Sequence, residues 1–157
     1  PVTRAADDIS AGWYNNISSP ESNWTLSLEL TSSGVSSYNN ARILDTLNSN
    51  NFQLVVDAGK FEFNIGLSPI TTVTSTTDVL TGVEQKIAVT HKNGTLSIYI
   101  DGQLEDTATV NNYPAFTQGG NYQVGSRASD AALAHYGSYK NIKSTSRALT
   151  ADEVKLL

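Results

Sequence analysis

Residues 23–30, NWTLSLEL, place Trp24, Leu26, Leu28 and Leu30 on one side of the chain and Thr25, Ser27 and Glu29 on the other. Successive side chains of a strand point to opposite faces, so a period of two marks a β-strand with one buried and one wet face. The same period recurs in pairs that check one another. Phe52, Leu54 and Val56 precede DAGK, and Phe61, Phe63, Ile65 and Leu67 follow it. With residues 57–60 as a four-residue turn, Val56 faces Phe61, Leu54 faces Phe63 and Phe52 faces Ile65, which puts both apolar sets on one face of a hairpin. In KIAVTHKNGTLSIYI a turn at Asn93-Gly94 likewise sets Val89 against Ile98 and Ile87 against Ile100.

A second turn signal, Asp101-Gly102, follows at once, but a two-residue loop there sets Ile98 against Glu105. A bulge, a longer loop or a strand that crosses to a second sheet would each repair the mismatch. Beyond residue 110 the composition becomes that of loops, NNYPAFTQGGN, with short strands expected around 122–125 and 136–143. About ten short strands joined by turns, with one-sided apolar faces, predict an all-β, two-sheet antiparallel jelly-roll sandwich. The tail departs from the pattern. Thr150-Ala151-Asp152-Glu153 reads as a capping box, and Ala151, Val154 and Leu156 or Leu157 form the apolar stripe of a short C-terminal helix that must dock on the sandwich to persist.

The 157 residues fit one domain and include no Cys, which excludes disulfides, thiolate metal sites and cysteine nucleophiles. A formal net charge of −5 argues against a nucleic-acid partner. No apolar run approaches the roughly 20 residues of a spanning helix, so no membrane insertion is expected. The chain holds no Met, even at position 1, and is expected to be a piece of a longer protein.

The run KIAVTHKNGTLSIYIDGQL within residues 83–109, and the tail HYGSYKNIKSTSRALTADEV, resemble the central hairpin, closing strand and final helix of laminin-G-like domains of the concanavalin A-like lectin/glucanase superfamily. The opening VTRAADDIS is similar to a junction found in phage tail and other virion proteins. The resemblance implies a junction at residues 1–8 from an upstream domain, then a laminin-G-like jelly-roll domain over 9–157. It implies a lectin-like, carbohydrate-binding module of a phage virion or tail-fibre protein that contacts a host surface glycan. Its partners would be that glycan, the rest of the parent virion protein, and further copies of itself in a homo-oligomer such as a trimer. Family members often hold a rim calcium. Here Asp57 and Asp101 have turn roles of their own, which leaves Asp130 as the metal candidate and at most one weak Ca2+ site.

Glucanases of the superfamily place carboxylates at alternate positions of one strand. No predicted strand here carries two at i and i+2, Glu29 and Glu62 stand alone, and Glu105-Asp106 are adjacent and would diverge. A jelly-roll lyase would need Tyr136, Tyr139, His135 and Arg127 to cooperate, yet both tyrosines hold closing-strand positions where packing is the simpler role. His91 shares a face with Val89, where a hydrogen-bonded structural role is expected. The chain is therefore read as no enzyme. The alternatives kept open are a structural decoration or assembly domain that binds only protein, and a polysaccharide lyase or hydrolase. A lectin needs aromatic faces and planar polar groups at loops, and Trp13, Tyr38, Asn39, Tyr113, Arg127 and Asp130 supply them. The expected ligand site is a convergence of these loops.

Overall fold

The computed structural model describes residues 16–34, 40–46, 51–114, 122–125 and 134–157. Among them are ten strands: β1 (Trp24–Ser32), β2 (Ala41–Thr46), β3 (Asn51–Asp57), β4 (Lys60–Gly66), β5 (Thr71–Asp78), β6 (Glu84–Lys92), β7 (Thr95–Ile100), β8 (Gln103–Thr109), β9 (Tyr122–Val124) and β10 (Gly137–Thr145). One helix, α1 (Ala151–Val154), follows. The strands form two five-stranded sheets, β10-β1-β6-β7-β8 and β5-β4-β3-β2-β9, which is a jelly-roll sandwich.

The hairpin registers follow the apolar pattern. Val56 pairs with Phe61, Leu54 with Phe63 and Phe52 with Ile65, and Val89 pairs with Ile98 and Ile87 with Ile100. Asn93 (φ 48°) and Gly94 (φ 84°) both take the left-handed conformation, which a two-residue turn between twisted strands requires. Between the sheets the Trp24, Phe52 and Phe63 rings meet edge to face or tilted, with centroids 5.2–5.7 Å apart. Trp24 comes from the first sheet and both phenylalanines from the second, so this cluster joins the layers.

The Asp101-Gly102 mismatch is resolved by a bulge. Ile100 pairs with Gln103 and Tyr99 with Leu104, after which the register shifts and Ile98 meets Asp106, leaving Glu105 as the extra residue. The bulge aims both adjacent carboxylates at β5, the edge strand of the other sheet. Asp106 accepts from the Thr74 amide (2.9 Å), and Glu105 accepts from the amides of Thr76 (2.8 Å) and Thr77 (2.9 Å) and from the Thr77 hydroxyl. Residues expected to diverge instead act together, because the inserted residue breaks strict alternation.

The tail is more than a plug for the main core. Thr150 Oγ1 accepts from the Glu153 amide (3.3 Å), while Glu153 Oε2 accepts from the Thr150 amide (2.8 Å), completing the capping box. Val154 packs with Ala88 and Tyr99 on the outer face of the first sheet, with Leu149 and Leu157 beside them. Leu157 thus completes the apolar stripe, and Leu156 is 86% exposed. Residues leading into α1 cross β1, where Thr25 Oγ1 donates to Arg147 O (2.9 Å) and accepts from the Leu149 amide (2.8 Å). Thr25, on the face the alternation leaves wet, is consequently 2% exposed.

Candidate functional site

The tail divides the outer face of the first sheet. On the side toward the Asn93-Gly94 turn it walls a groove of about 530 Å³, within the range of small-molecule sites. The groove exists because β6 and β7 alternate. Ile87, Val89, Ile98 and Ile100 turn inward, so Thr90, Lys92, Thr95, Ser97 and Tyr99 turn outward. Thr90 and Ser97 are cross-strand partners on its floor, with Tyr99 beyond them, and Lys92, Asn93 and Thr95 form an exposed rim. Ala148, Leu149 and Thr150 make the wall.

Among the described residues, the hydroxyls of Thr90, Thr95 and Ser97, the Asn93 side-chain amide and the Lys92 ammonium make no side-chain hydrogen bond or ion pair. The outer face of the second sheet differs. There Thr72 Oγ1 donates to Asn64 Oδ1 (2.6 Å) and Thr74 Oγ1 to Glu62 Oε1 (3.3 Å), so these groups satisfy one another. The described lining therefore offers hydroxyl, amide and ammonium groups over Tyr99, which is itself 7% exposed and packed against Val154, and holds no carboxylate among the described residues.

Carboxylates on the other side of the tail are held as ion pairs. Glu29 and Glu84 line a cavity of about 130 Å³, and Lys140 binds both, at 3.3 and 2.7 Å. Burial works against ionisation of Glu29, but hydrogen bonds from Asn141 and Lys140 outweigh it and hold the carboxyl below its ordinary range. Hydrogen bonds to Glu84 and Glu29 push the Lys140 ammonium up. Glu62 is raised by burial and by the charge of Asp57. In the cluster of Glu29 and Glu84 both carboxylates share one cation, Lys140. Among the described residues no three His, Asp or Glu side chains gather as a metal-binding group.

Of the loop residues expected to form a ligand site, Trp13, Tyr38, Asn39, Arg127 and Asp130 lie outside the described residues, as do residues 1–8. Tyr113 is described, and it is half-buried rather than an open loop aromatic. Its ring stands edge-on to His91 at 5.5 Å, and its hydroxyl lies 2.9 Å from His91 Nε2. His91 is fully buried and stacks on Trp24 at 5.7 Å, the structural role expected of it. Burial pushes its imidazole below the ordinary range, and it raises the Tyr113 phenol. His135 is also fully buried, with Nδ1 2.6 Å from the Tyr139 hydroxyl and Nε2 3.3 Å from Ser32 Oγ. Tyr139 packs in the core, as its closing-strand position implies, but Tyr136 is 49% exposed.

With this architecture, the chain belongs to the laminin-G-type family described as the concanavalin A-like lectin/glucanases superfamily, whose model matches residues 7–155. No protein of curated function matches it by sequence. Solved structures share its fold at low identity. One is the carbohydrate-binding module CBM40 of the Ruminococcus gnavus IT-sialidase bound to α2,3-sialyllactose (TM-score 0.67, 17% identity, 86% of this chain and 82% of that one). Another is domain 4 of AbnA, an extracellular GH43 arabinanase of Geobacillus stearothermophilus, in complex with arabinotriose (0.69, 20%, 90% and 68%). A third is the binding domain of Paraclostridial Mosquitocidal Protein 1 (0.63, 12%, 86% and 36%), of which this chain spans little more than a third. At these identities the likeness is one of fold.

Proposed function

We propose that the domain is a non-catalytic, lectin-like carbohydrate-binding module. The observation that carries this reading is the open groove, whose described lining offers several hydrogen-bonding groups with no side-chain partner among the described residues. Saccharides present hydroxyls that both donate and accept, and this polar lining complements them. Two structures of the same fold hold oligosaccharides, sialyllactose in one and arabinotriose in the other, which supports the class. Lys140 between Glu29 and Glu84 argues against a hydrolase.

The setting proposed is a phage virion or tail fibre contacting a host-surface glycan, on the strength of the opening VTRAADDIS. The loops carrying Trp13, Tyr38, Asn39, Arg127 and Asp130 remain part of the proposal as a second contact region, with Asp130 as the residue for one weak Ca2+. Several copies in a homo-oligomer would multiply a weak affinity per site. A glycan array probed with the purified domain tests the reading. Retention of defined glycans, lost on Ser97→Trp within the groove, supports it. Binding only to protein, or release of products from a polysaccharide, contradicts it.

A further inference from the structure

Resting on the glycan-binding reading, we infer that the groove receives a saccharide carrying a carboxylate, and that Lys92 is the residue that meets it. Among the described lining residues Lys92 is the one with net charge, since the other side chains there are hydroxyl, amide, phenol or aliphatic. Most of the other cations among the described residues are engaged. Lys60 is bound to Asp78 (2.6 Å), Lys140 to Glu84 and Glu29, Lys155 to Asp152 (3.7 Å) and Arg147 to Glu153 (2.8 Å), while Lys86 donates to Leu157 O (2.6 Å). Lys143 also has no ion-pair partner among the described residues, but it lies on the other side of the tail, so in an acidic chain of net charge −5 Lys92 is the unpaired ammonium that the described lining of the groove presents.

The nearest acids along the tail do not compete for Lys92. Glu153 is held by Arg147 and the Thr150 amide, and Asp152 by Lys155. The remaining free groups are rich in protons to donate: the hydroxyls of Thr90, Thr95 and Ser97 and the Asn93 amide. A carboxylate accepts only and has room for several donors, so it suits such a rim better than a neutral hydroxyl does. The chain's overall negative charge is no obstacle, because charges beyond about 8 Å are largely screened at physiological ionic strength.

The test uses matched acidic and neutral saccharides with the purified domain: sialyllactose against lactose, and oligogalacturonate against its methyl ester. We expect the acidic member of at least one pair to bind more tightly and to weaken as salt is raised. Lys92→Gln should reduce that affinity about tenfold, Lys92→Arg should preserve it, and Lys143→Gln, on the other side of the tail, should leave it unchanged. Neutral members binding equally well, with Lys92→Gln without effect, would overturn the inference and leave the glycan-binding proposal standing. An equal loss from Lys143→Gln would also overturn it, as the mark of unspecific charge attraction. Silence across every carbohydrate tested, acidic and neutral, sinks the binding proposal itself.

Discussion

The Tyr113 hydroxyl donates its proton to His91 Nε2 across 2.9 Å. The direction follows from the other side of the ring. His91 Nδ1 lies 2.7 Å from Ser22 O, a carbonyl that only accepts, so Nδ1 carries the hydrogen and Nε2 offers a lone pair. Tyr113→Phe should therefore cost about 1–2 kcal/mol, as expected when a buried acceptor loses its donor. Urea denaturation of the two proteins measures it, and a difference below about 0.5 kcal/mol would show that the bond contributes little.

Acid should weaken the fold from about pH 6.5 downward. Burial pushes His135 down to about 4 and lowers His91, so both are neutral in the folded protein, whereas in the unfolded chain each takes a proton near pH ~6.5. The unfolded state then binds more protons as pH falls. Stability is fully present above about pH 6.5 and declines as pH falls, by up to about 1.4 kcal/mol per unit for each histidine until its folded-state value is reached, about 4 for His135. Denaturant midpoints at about pH 7.5, 6 and 5 should fall in that order, and a flat series would contradict the assignment.

Glu105→Ala should destabilise by about 1–2 kcal/mol, since a half-exposed carboxylate that accepts from two amides and a hydroxyl is removed. Its distinctive readout is local. Amide exchange at Thr76 and Thr77 should accelerate more than at Val73, whose partner Phe63 is retained.

Two changes probe the tail from opposite ends. Thr150→Ala removes the helix cap and should cost about 1 kcal/mol. Gly102→Ala should cost more than 1 kcal/mol, because Gly102 has φ 79° and a Cβ there would lie 3.1 Å from Lys155 Cα. Thermal melts of both variants check the order, and an unchanged melting temperature for Gly102→Ala would mean the tail shifts freely.

Much of the fold was legible because apolar residues and turn residues agreed. The two hairpins were fixed by Phe, Ile, Leu and Val at alternate positions on either side of turns that demand a left-handed backbone. β5 was harder to see, since Val73 is the one aliphatic side chain in TTVTSTTD. The β8 bulge could be named only as one of several repairs, because an inserted Glu leaves no apolar trace. The groove was not legible at all. Thr90, Lys92, Thr95 and Ser97 look like any wet strand face, and they line a groove only when Ala148, Leu149 and Thr150 are laid beside them. Composition drew attention to Asn- and Tyr-rich loops instead, and in Tyr113 it found a residue already engaged with His91.

Thr25 gives the groove a property that its own lining does not. One hydroxyl holds two points of the crossing segment, Arg147 and Leu149, from positions 122 and 124 residues away in sequence. The spacing between wall and floor is thus gauged from behind, by a side chain under the tail that no occupant of the groove would touch. On the proposed reading, ligand tolerance and ligand contact are thereby separable: related chains could widen or narrow the slot by changing the residue at position 25 while every group that would bond to a guest stays as it is.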